Sequence, residues 1–309
     1  MRFAISIPQF YADGEFDPAA FRAYFARAES LGVYSSAWAQ EMTLSSSPQL
    51  SPLEAMTYAA SCTTALRLGC TVFVSTLHSP VHLAKSLATL DQLSGGRLDV
   101  GVGTGGPARP FGAFGVDPAR YVARFTEGIA VMKALWTSSR VTFEGEFWQL
   151  KGAAMEPKPW QKPYPPLWFG ASGEPALRRA VRIGDGFFGA GSSTLPAFAT
   201  QVATVRSALA AAGRPEASFP IAKRLYVAID SDAGRARQRM NEALEALYGF
   251  RVPAIEAAAV AGTVADCVAA VRKAADAGAS LILFTPLFEV AEHMEQVAAE
   301  VIPQFDVDA

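Results

Sequence analysis

Short apolar runs alternate with longer amphipathic stretches along most of the chain. The runs are rich in β-branched and aromatic residues, which is typical of buried strands, whereas the stretches between them carry apolar side chains at helical spacing. The predicted strands are residues 2–7, 33–38, 68–74, 98–102, 167–170, 184–188, 222–229 and 281–285. This alternation of strand and helix predicts an α/β fold.

The predicted helices begin and end at recognisable residues. Asp17-Pro18 and Ser51-Pro52 each combine an N-cap residue with a proline that needs no backbone N–H in the first turn. Gly32 follows the first apolar helical face, where a left-handed residue ends a helix. Farther along, a helix is predicted from Glu174 through Ile183.

About eight strand–helix units predict a (β/α)8 TIM barrel with small insertions, formed by a single domain over residues 1–309. The insertions are a loop rich in Gly, Pro and Phe at 107–118, a hairpin at 141–150 and a proline-rich connector at 157–166. An open doubly wound sheet is the alternative. It is disfavoured because no GxGxxG follows the first strand and no second domain is visible.

Composition narrows the class of partner and the compartment. Half of the residues are hydrophobic and 18% are charged, which is enough apolar material for a large core. A net charge of −2 without a basic block argues against nucleic acid or an anionic membrane as partner, and no apolar run is long enough to span one. The three cysteines form no CxxC and lie in apolar contexts, so we expect buried thiols and, with no leader segment visible, a cytoplasmic protein.

The carboxyl ends of the predicted strands carry glycine, serine and threonine rather than metal ligands or nucleophiles. A barrel places its active site at these ends. The chain has no HExxH, no GxSxG, no Walker lysine motif and no dense His/Asp/Glu set, so no metal site is predicted. This composition favours a large cofactor that is bound by backbone and hydroxyl contacts and supplies the chemistry itself.

Three glycine clusters are candidates for binding phosphate. Residues 170–173 lie directly before a predicted helix, where free N–H groups and the helix dipole favour an anion. Residues 189–193 follow the next strand, and residues 103–106 follow an earlier one. The alternative is that these glycines only form tight turns.

Two ionisable residues are candidates for handling a proton. Glu41 is an acid at an early strand end, and His78 follows the strand 68–74. A structural role is the alternative for both, and His82 and His293 are expected to be surface or structural histidines.

One long segment resembles a known family. The run HxPVxLAKxxATLDxLSGGRLxxGVGxG, from His78 to Gly105, resembles the bacterial luciferase-like family of flavin- and deazaflavin-dependent oxidoreductases. The resemblance continues through the segment PPLWFGASGEPALRRAVRIGDGFFG and the later segment GTVADCVAAVRKAADAGAS.

The resemblance implies a (β/α)8 barrel that binds FMN or the deazaflavin coenzyme F-420 at the strand carboxyl ends. It also implies a non-prolyl cis peptide near Val74-Ser75 that supports the ring. The residues expected to contact the cofactor are Gln40, Val74, Ser75, Thr76, Gly103, Thr104, Gly105, Gly106, Ala171, Ser172, Gly173, Gly189, Ala190 and Gly191. Many deazaflavin-using relatives have Asp-His where this chain has Gln40-Glu41, which leaves the choice of cofactor open.

The function that follows is hydride transfer between coenzyme F-420 and a small organic substrate. Glu41 or His78 would handle the accompanying proton. The alternatives are a two-component monooxygenase that uses reduced FMN, oxygen and a separate reductase, and a non-catalytic flavin-binding protein. A phosphate-binding lyase or isomerase is disfavoured because neither a catalytic lysine nor paired acids stand at the predicted strand ends. The resemblance also implies a homodimer.

Overall fold

Eight parallel strands form a closed barrel, as the alternation of strand and helix predicts. The computed structural model describes residues 1–11, 15–106 and 110–307. The barrel strands are β1 (Arg2–Ser6), β2 (Ser36–Ala39), β3 (Arg67–Val74), β4 (Leu98–Gly103), β7 (Leu167–Gly170), β8 (Gly186–Gly189), β9 (Ile221–Ile229) and β11 (Leu281–Thr285). They pair in this order, and β11 returns to β1 to close the barrel. The (β/α)8 prediction is confirmed.

Helices pack around the barrel and connect its strands. They are α1 (Pro18–Leu31), α2 (Pro52–Cys62), α3 (Pro80–Leu93), α4 (Tyr121–Thr137), α5 (Glu174–Ile183), α6 (Leu195–Ala211), α7 (Ala233–Tyr248), α8 (Pro253–Ala258), α9 (Val264–Ala277) and α10 (Val290–Gln296). Asp17 caps α1 through its carboxylate, which accepts from the N–H groups of Ala19 and Ala20, and Gly32 ends it at φ 67°. The last helix begins at Val290, directly after Glu289, which adopts a left-handed φ of 44°.

Two small additions accompany the barrel. The strands β5 (Val141–Glu144) and β6 (Gln149–Ala153) form the predicted hairpin, whose turn is held by the Glu127 carboxylate accepting from three consecutive backbone N–H groups. The short strand β10 (Val260–Gly262) pairs with the carboxyl-terminal end of β9. The sequence pattern is weak in this region. Residues 107–109 of the predicted loop 107–118 lie outside the described residues.

Aromatic side chains fill the interior of the barrel and leave its carboxyl end open. Trp38 packs edge to face against Trp168 and Phe188 inside it, and the last two rings contact each other at a tilt. Gly69 of β3 allows this packing, because a Cβ there would lie 2.4 Å from the Trp38 ring. No helix among the described residues is both long enough and apolar enough to cross a membrane.

Candidate active site

A large cavity opens at the carboxyl ends of β4, β7, β8 and β9. Its volume is about 570 Å³, which lies within the range of cavities that bind cofactor-sized ligands. The wall includes the glycine clusters that the sequence singles out, together with aromatic and cationic side chains from α4, α5, α7 and β9. The polar and charged members of the lining are Thr71, Thr104, Tyr121, Ser172, Arg179, Ser192, Arg224, Tyr226 and Tyr248.

The three glycine clusters meet at this cavity, although they are distant in sequence. The predicted cofactor residues that line it are Gly103, Thr104, Gly105, Gly106, Ala171, Ser172, Gly173, Ala190 and Gly191. Gln40 lines a smaller adjoining cavity instead. Gly189 is buried at the end of β8, where a Cβ would lie 2.6 Å from the Phe198 ring, so this glycine has a packing role.

The remaining predicted cofactor residues, at the end of β3 and just beyond it, are placed outside the lining of this cavity. Val74 is buried, and its N–H donates to Glu41. The Thr76 hydroxyl donates to the carbonyl of Thr104, at 3.2 Å, and so ties the segment after β3 to the end of β4. Ser75 is half-buried.

The non-prolyl cis peptide lies earlier in β3 than the resemblance implies. It joins Thr71 and Val72, not Val74 and Ser75, and it falls where the β3–β4 register shifts between Cys70 and Phe73. The Val72 side chain projects into the base of the cavity. A Cβ at Gly103 or at Gly170 would lie 2.7 and 2.8 Å from its methyl groups, so both strand ends need glycine to pack against it.

Helix α5 points its amino terminus at the cavity. Gly173 is the N-cap residue, and among the described residues no side chain caps the first-turn N–H groups. A phosphate placed here would accept from them and would gain from the positive end of the helix dipole. Arg179, on the following turn of α5, also lines the cavity; burial lowers the pKa of its guanidinium, and the nearby Arg182 adds to that effect.

A buried lysine supports the glycine cluster at residues 189–193. The Lys223 side chain is fully buried, and its Nζ donates to the carbonyls of Ala190 and Ser193, at 2.5 and 2.8 Å. Burial, together with the adjacent Arg224, lowers the pKa of Lys223 to about 7. Because both carbonyls are turned down toward Nζ, the loop that carries them is fixed at the wall of the cavity.

The two predicted proton carriers form one hydrogen-bonded pair. His78 Nε2 lies 2.7 Å from Glu41 Oε1, and the Glu41 Oε2 accepts from the backbone N–H of Val74 at 2.5 Å. Glu41 is 7% exposed, and neither side chain lies among the residues that line the large cavity. The pair therefore anchors the end of β3, and its role in proton transfer stays a prediction.

In the part of the chain that the structure describes, no group of three or more His, Cys, Asp or Glu side chains could hold a metal ion. The three cysteines form no disulfide: Cys70 and Cys267 are buried, and Cys62 is half-buried.

The family model described as luciferase-like monooxygenase matches residues 1–276. The chain belongs to the luciferase-like family. Its similarity to individual relatives covers a smaller part of the chain. It is 32% identical over 184 residues to the F420-dependent glucose-6-phosphate dehydrogenase of Kineococcus radiotolerans, covering 58% of this chain and 54% of that one. It is 35% identical over 138 residues to the FMNH(2)-dependent dimethylsulfone monooxygenase of Pseudomonas putida, covering 44% of this chain and 38% of that one.

The match thus spans about half the length of such curated relatives, or less. Among solved structures, the monooxygenase RslO1 from Streptomyces bottropensis superimposes with a TM-score of 0.85, covering 99% of this chain and 100% of that one at 24% identity. At that identity the likeness shows the shared fold.

Sequence reasoning missed several residues of this luciferase-like site. Arg224 and Tyr226 come from β9, Arg179 from α5 and Tyr248 from the end of α7. The hydroxyls of Tyr226 and Tyr248 lie 2.7 Å apart. One signal was present in the sequence: Lys223-Arg224 interrupts the apolar strand IAKRLYVAI, and charges inside a buried strand call for a specific reason.

Replacing Glu41 with Gln tests the two roles of the Glu41–His78 pair in this luciferase-like protein. We expect a loss of about 1–3 kcal/mol in the free energy of unfolding, because a charge-assisted, buried hydrogen-bond network is weakened. We expect kcat to fall less than about tenfold, since general acid–base catalysis by a positioned group contributes about a hundredfold or more. A hundredfold loss of kcat at unchanged stability, with a shifted pH profile, would instead assign proton transfer to Glu41.

Proposed function

We propose that this protein is an oxidoreductase that transfers a hydride between coenzyme F-420 and a small organic substrate. The observation that supports the proposal most directly is the convergence of three glycine clusters and an uncapped helix amino terminus on one large cavity at the barrel mouth. Such a site binds an elongated, phosphate-bearing cofactor through backbone N–H groups.

The residues present fit a cofactor of this kind. Arg179 and Arg224 line the cavity, whereas no Asp or Glu is among its described lining residues, so the wall favours an anionic ligand. The phosphate of the cofactor would lie at Ser172-Gly173 and the start of α5, near Arg179. The flat ring would lie against Val72, at the strand ends.

The cofactor, when bound, supplies the hydride chemistry. The chain contributes binding and orientation, because the rigid strand ends fix which face of a ring meets the substrate. The aromatic wall, including Phe125 and Tyr121 of α4, limits the access of water to that face. The paired hydroxyls of Tyr226 and Tyr248 are polar groups within the cavity that can hold a proton or a water molecule near the reacting atoms.

A two-component monooxygenase that uses reduced FMN is the second candidate. Its specific support is the 35% identity with the FMNH(2)-dependent dimethylsulfone monooxygenase, whereas the longer match is with the F420-dependent dehydrogenase. This alternative requires a separate reductase as a partner. We further propose that the chain acts as a single domain, functions in the cytoplasm and, as the resemblance to the family implies, forms a homodimer.

An anaerobic titration of the purified protein with F-420, FMN and reduced FMN, followed by absorbance and fluorescence, separates these functions. We expect F-420 to bind at least about tenfold more tightly than FMN, a difference of 1.4 kcal/mol. A preference for reduced FMN would support the monooxygenase. Tight binding without any substrate-dependent redox change would indicate a non-catalytic flavin-binding protein, and a failure of all three to bind would contradict the proposal.

A further inference from the structure

A second, smaller cavity adjoins the large one on the side of β1, β2 and β11. Its volume is only about 30 Å³, and it shares two lining residues, Thr71 and Arg224, with the large cavity. Most of its wall is apolar and includes Trp38, Leu283 and Pro286. A space of this size has room for a group such as a carboxylate, and the rest of the molecule that carries it would extend into the large cavity.

Arg224 is a buried cation whose described partners are all neutral. The residue is 8% exposed. Its Nε donates to the Thr285 hydroxyl at 3.1 Å, its Nη2 donates to Gln40 Oε1 at 2.5 Å, and its guanidinium stacks over the Tyr226 ring at 4.5 Å. Within residues 1–11, 15–106 and 110–307, no carboxylate forms an ion pair with it. Burying a charge is unfavourable unless a counter-charge or a full set of acceptors compensates it.

The groups around Arg224 present hydrogen-bond donors to the small cavity. A guanidinium only donates, so the Gln40 amide must turn its oxygen toward Arg224 and its NH2 group away from it. That NH2 group has no partner among the described residues, while Gln9 fixes the Gln40 backbone through hydrogen bonds to both its N–H and its carbonyl. The Thr285 hydroxyl accepts from Arg224 and so keeps its own hydrogen free to donate.

We propose that Arg224, Gln40 and Thr285 form a carboxylate-binding subsite and that the substrate is a small organic acid with an apolar body. A carboxylate supplies both the negative charge and the acceptor oxygens that these donors lack. The inference rests on the proposed function in that it names the substrate class of the same site. The carboxylate serves as a binding group beside the cofactor and takes no part in the chemical change.

Isothermal titration calorimetry with sodium butyrate and with butyramide tests the subsite. It is carried out on the apo protein and on the protein loaded with whichever of F-420 and FMN binds. The two probes differ little in shape but only butyrate is charged. We expect butyrate to bind at least about tenfold more tightly in both forms. Equal affinity for the two probes would overturn the proposal. Loss of butyrate binding on cofactor loading would also overturn it, because the donors would then serve the cofactor.

Two substitutions locate the effect. Arg224→Gln removes the charge, and Gln40→Glu places a carboxylate of the protein itself beside Arg224. Both should weaken butyrate binding at least about tenfold, and Gln40→Glu should also raise Tm because it pairs the buried cation. The surface control Arg140→Gln makes the same charge change far from the cavity and should leave the affinity unchanged. If Gln40→Glu raises Tm but leaves butyrate affinity intact, Arg224 is structural and the subsite is refuted.

The outcome separates this inference from the proposed function. Arg224-dependent butyrate binding by a protein that binds neither F-420 nor FMN would uphold the subsite and contradict the oxidoreductase. Cofactor binding without any preference for butyrate would support the oxidoreductase and refute the subsite. Ser172→Glu supplies a cross-check, since it should weaken cofactor binding while the apo protein keeps its affinity for butyrate.

Discussion

Replacing Ser172 with Glu is expected to lower the affinity for F-420 or FMN at least about a hundredfold, which corresponds to 2.7 kcal/mol. Ser172 is exposed at the cavity, directly before the N-cap residue Gly173 of α5. A carboxylate introduced there would itself occupy the positive end of the helix dipole and would repel a phosphate in the same place. Fluorescence titration of the cofactor measures the loss.

Two matched variants control for bulk and for changes in the backbone. Ser172→Gln has nearly the size of Glu without its charge, so we expect it to lower affinity less than about tenfold. Gly173→Ala is tolerated sterically, because an added Cβ would meet nothing closer than the Pro175 ring at 4.0 Å and φ is negative there. An equal loss for the Glu and Gln variants would show that steric exclusion, and not the charge of a bound phosphate, governs this loop.

The fold could be predicted because its elements carry local signals. The helix predicted over Glu174–Ile183 has those bounds in the structure, since glycine precedes it, proline lies in its first turn and Gly184 follows it. The barrel follows from repetition of such units. The cis peptide was misplaced for the opposite reason: the family resemblance gives only its approximate region, and its position at Thr71-Val72 coincides with a shift in β3–β4 register that no single-strand pattern contains.

The candidate site could be predicted only in part. The glycine clusters were found because each follows a strand, and parallel strands bring their carboxyl ends together. Arg224 was missed because its meaning depends on partners that are 184 and 61 residues away, Gln40 and Thr285. Glu41 and His78 were predicted as independent candidates, and only the three-dimensional structure shows that they bond to each other and lie outside the large cavity.

Lys223 makes the stability of the fold depend on pH in an unusual direction. In the unfolded chain its pKa is near 10.5, whereas burial lowers it to about 7 in the folded protein. Below pH 7 both states carry the proton, and folding must bury the full charge. Between pH 7 and about 10.5 the unfolded state binds more protons than the folded state, so the contribution of Lys223 to stability rises with pH, by up to about 5 kcal/mol.

Replacing Lys223 with Met should remove this rise. The neutral amine still has two N–H donors for the carbonyls of Ala190 and Ser193, so deprotonation spares the loop, whereas Met leaves both carbonyls without this donor. We therefore expect the unfolding free energy of the native protein, relative to that of the Met variant, to rise by several kcal/mol between pH 7 and 10. Urea unfolding at stepped pH measures this difference, with the exposed Lys151→Met as the control that shows no slope. A constant difference across that range would mean that the folded-state pKa of Lys223 is ordinary and that its charge is compensated in the barrel.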